Sequence, residues 1–147
     1  MMKPKRLALV GGGQMGRALL GGVLASSIVD PNQVCLVDPC QETQQWWSEH
    51  HGEVACVDLL EAVDCSETVL LAVKPNLVSQ VTSAEGLSLT GKLVISIAAG
   101  VSLSRLGALV GHGRVIRVMP NTPSLVREGA SGFCCAEAVT EGDRVWV

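Results

Sequence analysis

The chain of 147 residues has no tyrosine and one phenylalanine, so its core must be filled with aliphatic side chains rather than rings. It is also poor in charge: 17% of residues are charged, and the formal net charge is -3. No basic field is present to attract a nucleic-acid backbone or an anionic membrane surface. No apolar run approaches the roughly 20 residues that a membrane span requires. The six cysteines form no C-x-x-C pair and fall mostly in or beside apolar runs, which predicts reduced, buried packing residues in a reducing compartment. The start "MMKPKRLALV" is not expected to act as a secretory leader. Its apolar stretch meets Gly11 after four residues, whereas an export segment needs roughly 7 to 15. Repeats and low-complexity linkers are missing too. These absences predict a cytoplasmic globular protein without nucleic-acid or membrane partners, for which a small molecule is the default ligand.

What is present is an aliphatic α/β pattern. Hydrophobic residues make up 48% of the chain, and a chain of this length fits one domain that buries about two thirds of its unfolded surface. Short runs rich in Val, Ile and Leu occur at Leu7 to Val10, Val34 to Val37, Val54 to Val57, Val69 to Val73, Leu93 to Ile97 and Val115 to Met119. They show little polar alternation, so both faces of their sheet must be covered. Between the first two runs, Met15, Ala18, Leu19, Gly22, Val23 and Ser26 follow helical spacing and predict one packed helix face. Helices are also predicted over Gln41 to His51, Asn76 to Gly86 and Ser102 to Val110. The expected fold is α/β of Rossmann type, a doubly wound, mostly parallel sheet with helices on both faces and right-handed crossovers. In the final "TEGDRVWV", Thr140 and Asp143 are spaced as a capping box. A helix of that length is marginal without packing partners, which leads to the expectation of one dinucleotide-binding domain over residues 1-147, truncated at its C-terminal end, with no second domain.

Gly11, Gly13 and Gly16 form G-x-G-x-x-G directly after a predicted strand and at the start of a predicted helix. The first glycine permits the turn, the second lets a pyrophosphate approach the main chain, and the third allows close packing of helix on strand. Free N-H groups at the helix start then face the anion with no cationic side chain required. Asp38 ends the second predicted strand, 22 residues past Gly16, where an acidic residue bonds the ribose hydroxyls. No Lys or Arg occurs from Asp38 to Val73, so a 2'-phosphate there would face an uncompensated carboxylate. This favours NAD(H) over NADP(H). The alternative is that Asp38 is a turn or cap residue before Pro39.

Three further stretches lie at predicted strand ends: "LAVKPN" (71 to 76), "SIAAGVSLSRL" (96 to 106) and "VIRVMPNTPSLVREGASG" (115 to 132). Each has a bland explanation in turn chemistry or small-residue packing. In open α/β sheets, however, ligands bind beyond the carboxyl ends of strands, and all three lie there. Together with the glycine loop, in this order, they resemble pyrroline-5-carboxylate reductase from about Leu7 to the last residue.

The resemblance implies reduction of 1-pyrroline-5-carboxylate to L-proline by hydride transfer from NAD(P)H. It also implies that Gly11, Gly13, Gln14, Met15 and Gly16 hold the pyrophosphate, that Ala72, Val73, Lys74 and Pro75 with Ala98, Ala99 and Gly100 line the nicotinamide side, and that Met119, Asn121, Thr122 and Pro123 border the imine pocket. The family commonly uses NADPH and carries small polar residues where this chain has Asp38, and Asp58 stands where the family has an Asn. The family continues into a helical domain that dimerises and completes the substrate site, so a homo-oligomer is expected of the full-length protein. Two other readings stand beside it: a nucleotide-binding fragment without turnover, and a 3-hydroxyacid-type dehydrogenase domain, against which "MPNTP" argues. No Ser/His/Asp or Cys/His constellation and no metal site is read from the sequence, and no catalytic residue is assigned. His50 and His51 are successive and do not share a helix face, and His112 lies between glycines. Of Trp46 and Trp47, one is expected to pack on the sheet.

Overall fold

In the computed structural model, which describes residues 5–121 and 131–147, all six apolar runs contribute strands. These are β1 (Lys5–Val10), β2 (Val34–Val37), β3 (Ala55–Cys56), β4 (Ser66–Leu71), β5 (Leu93–Ser96) and β6 (Val115–Met119). β3 keeps two residues of its run, and β4 starts earlier than its run and stops at Leu71, leaving Ala72 and Val73 just past its end. An unexpected seventh strand, β7 (Gly132–Cys135), pairs antiparallel with β6. Its sequence, GFCC, opens on a glycine and contains no Val, Ile or Leu, so the aliphatic pattern that marks the other strands passes over it.

The sheet order is β3-β2-β1-β4-β5-β6-β7, with every pairing parallel except the last. The chain winds outward from β1 to β3, then returns to place β4 on the other side of β1. The winding direction therefore reverses between β1 and β4, which creates a crevice at their carboxyl ends. Alternation along the strands feeds two cores. Leu7, Leu9, Val34 and Leu36 pack with Leu20 of α1 (Gln14–Ala25) and Trp47 of α2 (Gln41–His50). Val10, Val69, Leu71, Val94 and Val115 pack on the opposite face with Val63 of α3 (Leu59–Cys65), Val78 of α4 (Val78–Thr82) and Leu106 of α5 (Leu103–Val110). Both sheet faces are thus covered, as the unalternating runs require.

Two expectations need correction. α1 docks through Gly16 and Leu20, with Val23 and Leu24 alongside, and not through the Met15–Ala18–Leu19–Gly22–Ser26 side. A glycine carries no hydrophobic signal, so the contact that sets the helix rotation is invisible to a periodicity count. The cysteines are not uniformly buried either. Cys35 is buried, but Cys40, Cys56 and Cys134 are exposed and Cys65 and Cys135 lie between. The short β3 and the edge position of β7 leave their thiols near solvent.

The final helix, α6 (Glu141–Trp146), has the expected capping box: Thr140 Oγ1 accepts from Asp143 N at 3.1 Å, and Asp143 Oδ2 accepts from Thr140 N at 3.0 Å. It also has packing partners. Arg114 Nε and Nη2 donate to Asp143 Oδ2 and Oδ1 at 2.9 and 2.7 Å, and Trp146 Nε1 donates to Thr68 Oγ1 at 3.1 Å. The Arg114 guanidinium, aided by Thr140 against the cost of burial, lowers the Asp143 carboxyl from 3.8 to about 2. A carboxyl lowered by folding stabilises the fold above its unfolded value and loses that contribution as the solution acidifies through the folded one. Melts between pH 3.8 and about 2 are therefore expected to lose on the order of 2 kcal/mol that Asp143→Asn has already lost at neutral pH.

Candidate dinucleotide site at the carboxyl edge

The three motif glycines are required for different reasons. Gly11 follows β1, donates its N-H to Val37 O at 2.8 Å and sits at φ +97°, where a Cβ would lie 2.6 Å from the carbonyl oxygen of Ala72. It is wedged at the reversal point beside the end of β4. A Cβ on Gly16 would run into the carbonyl oxygen of Gly11, so α1 reaches the strand only because that carbon is missing. Gly13 is different: a Cβ there would meet nothing within 4 Å, and φ is -70°. Nothing among the described residues demands glycine at 13, and the open space in front of it is where a bulky anion can reach the main chain.

No side chain caps α1, and Arg17 N is the first to find a helical carbonyl, that of Gly13 at 2.8 Å. The N-H groups at 14 to 16 precede that first bond, at the positive end of the helix dipole. No acidic residue lies in the first turn to compete for them. The residues present fit a pyrophosphate.

A support for this loop has no signature in the sequence. The middle glycine, Gly12, is clasped from both sides: its N-H donates to Asp38 Oδ2 at 2.8 Å, and its carbonyl accepts from Trp47 Nε1 at 3.0 Å. Trp47 is fully buried, and a Cβ on Gly12 would lie 2.7 Å from its Nε1, so indole and glycine specify each other. The other oxygen of Asp38 accepts from Cys40 N at 2.9 Å. Asp38 thus is the turn residue of the alternative reading and is also tied to the glycine loop. With both oxygens fixed by amides, it is a rigid negative edge beside the loop. Its charge reaches Cys56, whose thiol is raised by burial first and by Asp38 second. The Cys40 thiol, at the start of α2, is lowered, chiefly by the Thr43 amide.

The remaining candidates lie beyond the ends of β4, β5 and β6. Ala72 and Val73 touch the Gly11 position directly, whereas Lys74 and Pro75 open a 3-10 turn (Pro75–Leu77) and are exposed. Ala98 is buried in the core and offers only its backbone, while Ala99 and Gly100 are exposed, Gly100 at φ +73°. Met119 and Asn121 are exposed at the end of β6. Thr122 and Pro123 lie outside the described residues.

His50 and His112 have partners within the fold. His50 stacks on Trp46 with centroids 4.3 Å apart. His112 accepts from Arg114 N at Nδ1 (3.1 Å) and pairs with Leu89 O at Nε2 (2.7 Å). The loop between glycines is therefore tethered at both ring nitrogens. Among the described residues no group of three or more His, Cys, Asp or Glu side chains could hold a metal ion, and no helix is long and apolar enough to cross a membrane.

Comparison with known proteins agrees with this fold. The family described as "NADP oxidoreductase coenzyme F420-dependent" matches residues 6–100, which contain the glycine loop, Asp38 and the ends of β4 and β5. The chain belongs to that family. Among curated relatives, the pyrroline-5-carboxylate reductase of Pasteurella multocida is 41% identical over 139 residues, covering 90% of this chain and 50% of the relative. That of Escherichia coli is 37% identical over 141 residues, covering 95% and 52%. Of solved structures, a Coxiella burnetii pyrroline-5-carboxylate reductase superposes with a TM-score of 0.88 at 32% identity, covering 97% of this chain and 54% of that one. The Plasmodium falciparum enzyme, solved with NADP bound, superposes with a TM-score of 0.82 at 27% identity, covering 99% and 53%. The chain spans about half the length of the curated relatives it matches.

Proposed function

We propose that this chain supplies the dinucleotide-binding domain of a reductase that converts 1-pyrroline-5-carboxylate to L-proline. The observation that carries the reading is the pairing of an open Gly13 before an uncapped α1 with relatives of that activity at 41% and 37% identity. A bound reduced nicotinamide would supply the hydride for the imine carbon, while the ring nitrogen keeps the proton with which it enters as an iminium. An iminium is already electrophilic, so what the reaction asks of these residues is placement. The amides at 13 to 16 fix one end of the cofactor. The backbone at Ala72–Val73 and Ala99–Gly100 is positioned to shape the other end, and Met119 with Asn121 borders the imine. No general base is required. Because the chain spans about half of its relatives, nucleotide binding without turnover is the second reading. The test is NADH oxidation with pyrroline-5-carboxylate by residues 1-147 alone: weak or no turnover with clear nucleotide binding is expected, and robust turnover contradicts the requirement for a second half.

Asp38 sets the expected cofactor choice. Its carboxylate is held in place by Gly12 and Cys40. Arg17, the cation in the first turn of α1, is engaged with Trp46, its Cζ lying 4.2 Å from the ring centroid. A 2'-phosphate beside Asp38 gains repulsion and no partner, so NADH is expected to bind about tenfold or more tighter than NADPH. Asp38→Ser is expected to close that gap. Tighter binding of NADPH by the unaltered chain overturns the assignment.

A further inference from the structure

Arg117 interrupts the apolar run of β6, paired in register with Ser96 on β5 and Cys134 on β7. By strand alternation it shares a face with Val115, which packs in the core beneath α5. Its Nη2 lies 3.4 Å from Met119 Sδ, so the guanidinium extends along the strand toward the carboxyl edge. Its Nε is buried and has no hydrogen-bond partner.

Two other arginines show how unusual this is. Arg114, three positions earlier, is fully used: Nε and Nη2 on Asp143, Nη1 on Gly91 O at 2.8 Å. Arg17 also has a buried, unpartnered Nε, but its charge lies over the Trp46 ring, an electrostatic partner in itself. Among the described residues Arg117 has neither a carboxylate nor an aromatic face, only a thioether. Arg117 is half-buried, and a buried Nε without an acceptor costs stability that a methionine in its place would not.

We propose that Arg117 is a carboxylate-binding site at the carboxyl edge of β6. The planar fork with a free Nε suits the two oxygens of a carboxylate. A cofactor pyrophosphate seated at the glycine loop belongs to β1, three places away in the sheet order. The carboxylate has two possible sources: a small molecule such as a cyclic imino acid, or an Asp or Glu side chain of polypeptide packing over this edge. The site does not rest on the reductase reading, because acetate probes it without turnover.

The test is the Nε–Hε resonance of Arg117, assigned by its loss in Arg117→Lys, in the isotopically labelled chain. Sodium acetate and L-proline are expected to shift it and slow its exchange about tenfold or more, while chloride at equal ionic strength and pyrrolidine leave it alone. Joining the chain to the remaining half of the Pasteurella multocida relative separates the sources. A resonance already slow before ligand, and deaf to proline, identifies a side-chain carboxylate; one that slows only with proline identifies the small molecule. A resonance unmoved by acetate, proline and joining overturns the site. Independently, Arg117→Met is expected to raise Tm by about 3 °C or more and to remove the rise in Tm that acetate gives the unaltered chain. A lower Tm in the variant with the same acetate-induced rise shows an ordinary structural arginine and overturns the site equally.

Discussion

Gly11→Ala is expected to lower Tm by on the order of 10 °C, the equivalent of about 3 kcal/mol in a chain of this size. Two costs combine. At φ +97° an L side chain is strained by about 1 to 3 kcal/mol, and the new Cβ would lie 2.6 Å from Ala72 O and 2.8 Å from its carbon. Neither neighbour is a side-chain tip that can swing away. Both belong to the backbone just past β4, whose amide is bonded to Val10 O at 2.8 Å. Relief therefore requires β1 and β4 to part at the reversal point. Thermal melts of the purified variant read the effect directly, and a Tm within a degree or two of the unaltered chain contradicts the placement of this loop.

Gly13→Val is expected to produce the opposite profile: nearly unchanged stability and a loss of nucleotide affinity of a hundredfold or more. The position has room for a side chain and an extended backbone that valine accepts, so the fold loses only the difference between glycine and valine as an N-cap, about 1 kcal/mol. The isopropyl group fills the space through which a pyrophosphate must approach the amides. Calorimetric titration with NADH, beside a melt of the same sample, separates the two quantities. One motif thus contains a glycine that the fold requires, Gly11, and a glycine at which a Cβ would meet nothing within 4 Å, Gly13.

Much of the fold is legible in the sequence. The six runs became strands because continuous Val, Ile and Leu over four or five residues is what a two-sided sheet needs, and the switch to helical spacing from Met15 located α1. The parts that escaped share a cause. β7 lacks Val, Ile and Leu, and α3 has only seven residues, so neither stands out from loop by local pattern, and they exist because tertiary packing pays for them. α1 turns its Gly16 side inward because of a backbone contact with Gly11, which no hydropathy scale records.

The site divides in the same way. The glycines and Asp38 announce themselves by spacing, but the clasp on Gly12 joins residues 26 and 35 positions apart, and only folding brings Asp38 and Trp47 to the same peptide. Arg117 was hidden by its company, one cation inside a run read as strand. A strand position explains its backbone; it does not explain a buried Nε with no acceptor.

The most direct measurement follows the backbone amides during titration of the labelled 147-residue chain with NADH. The resonances of Gly13, Gln14, Met15 and Gly16 are expected to move first and furthest, with Gly12 and Cys40 following through Asp38, and all of these shifts are expected to vanish in Gly13→Val. Saturable NADH binding that leaves these amides in place and perturbs another part of the sheet would show that the dinucleotide is held elsewhere.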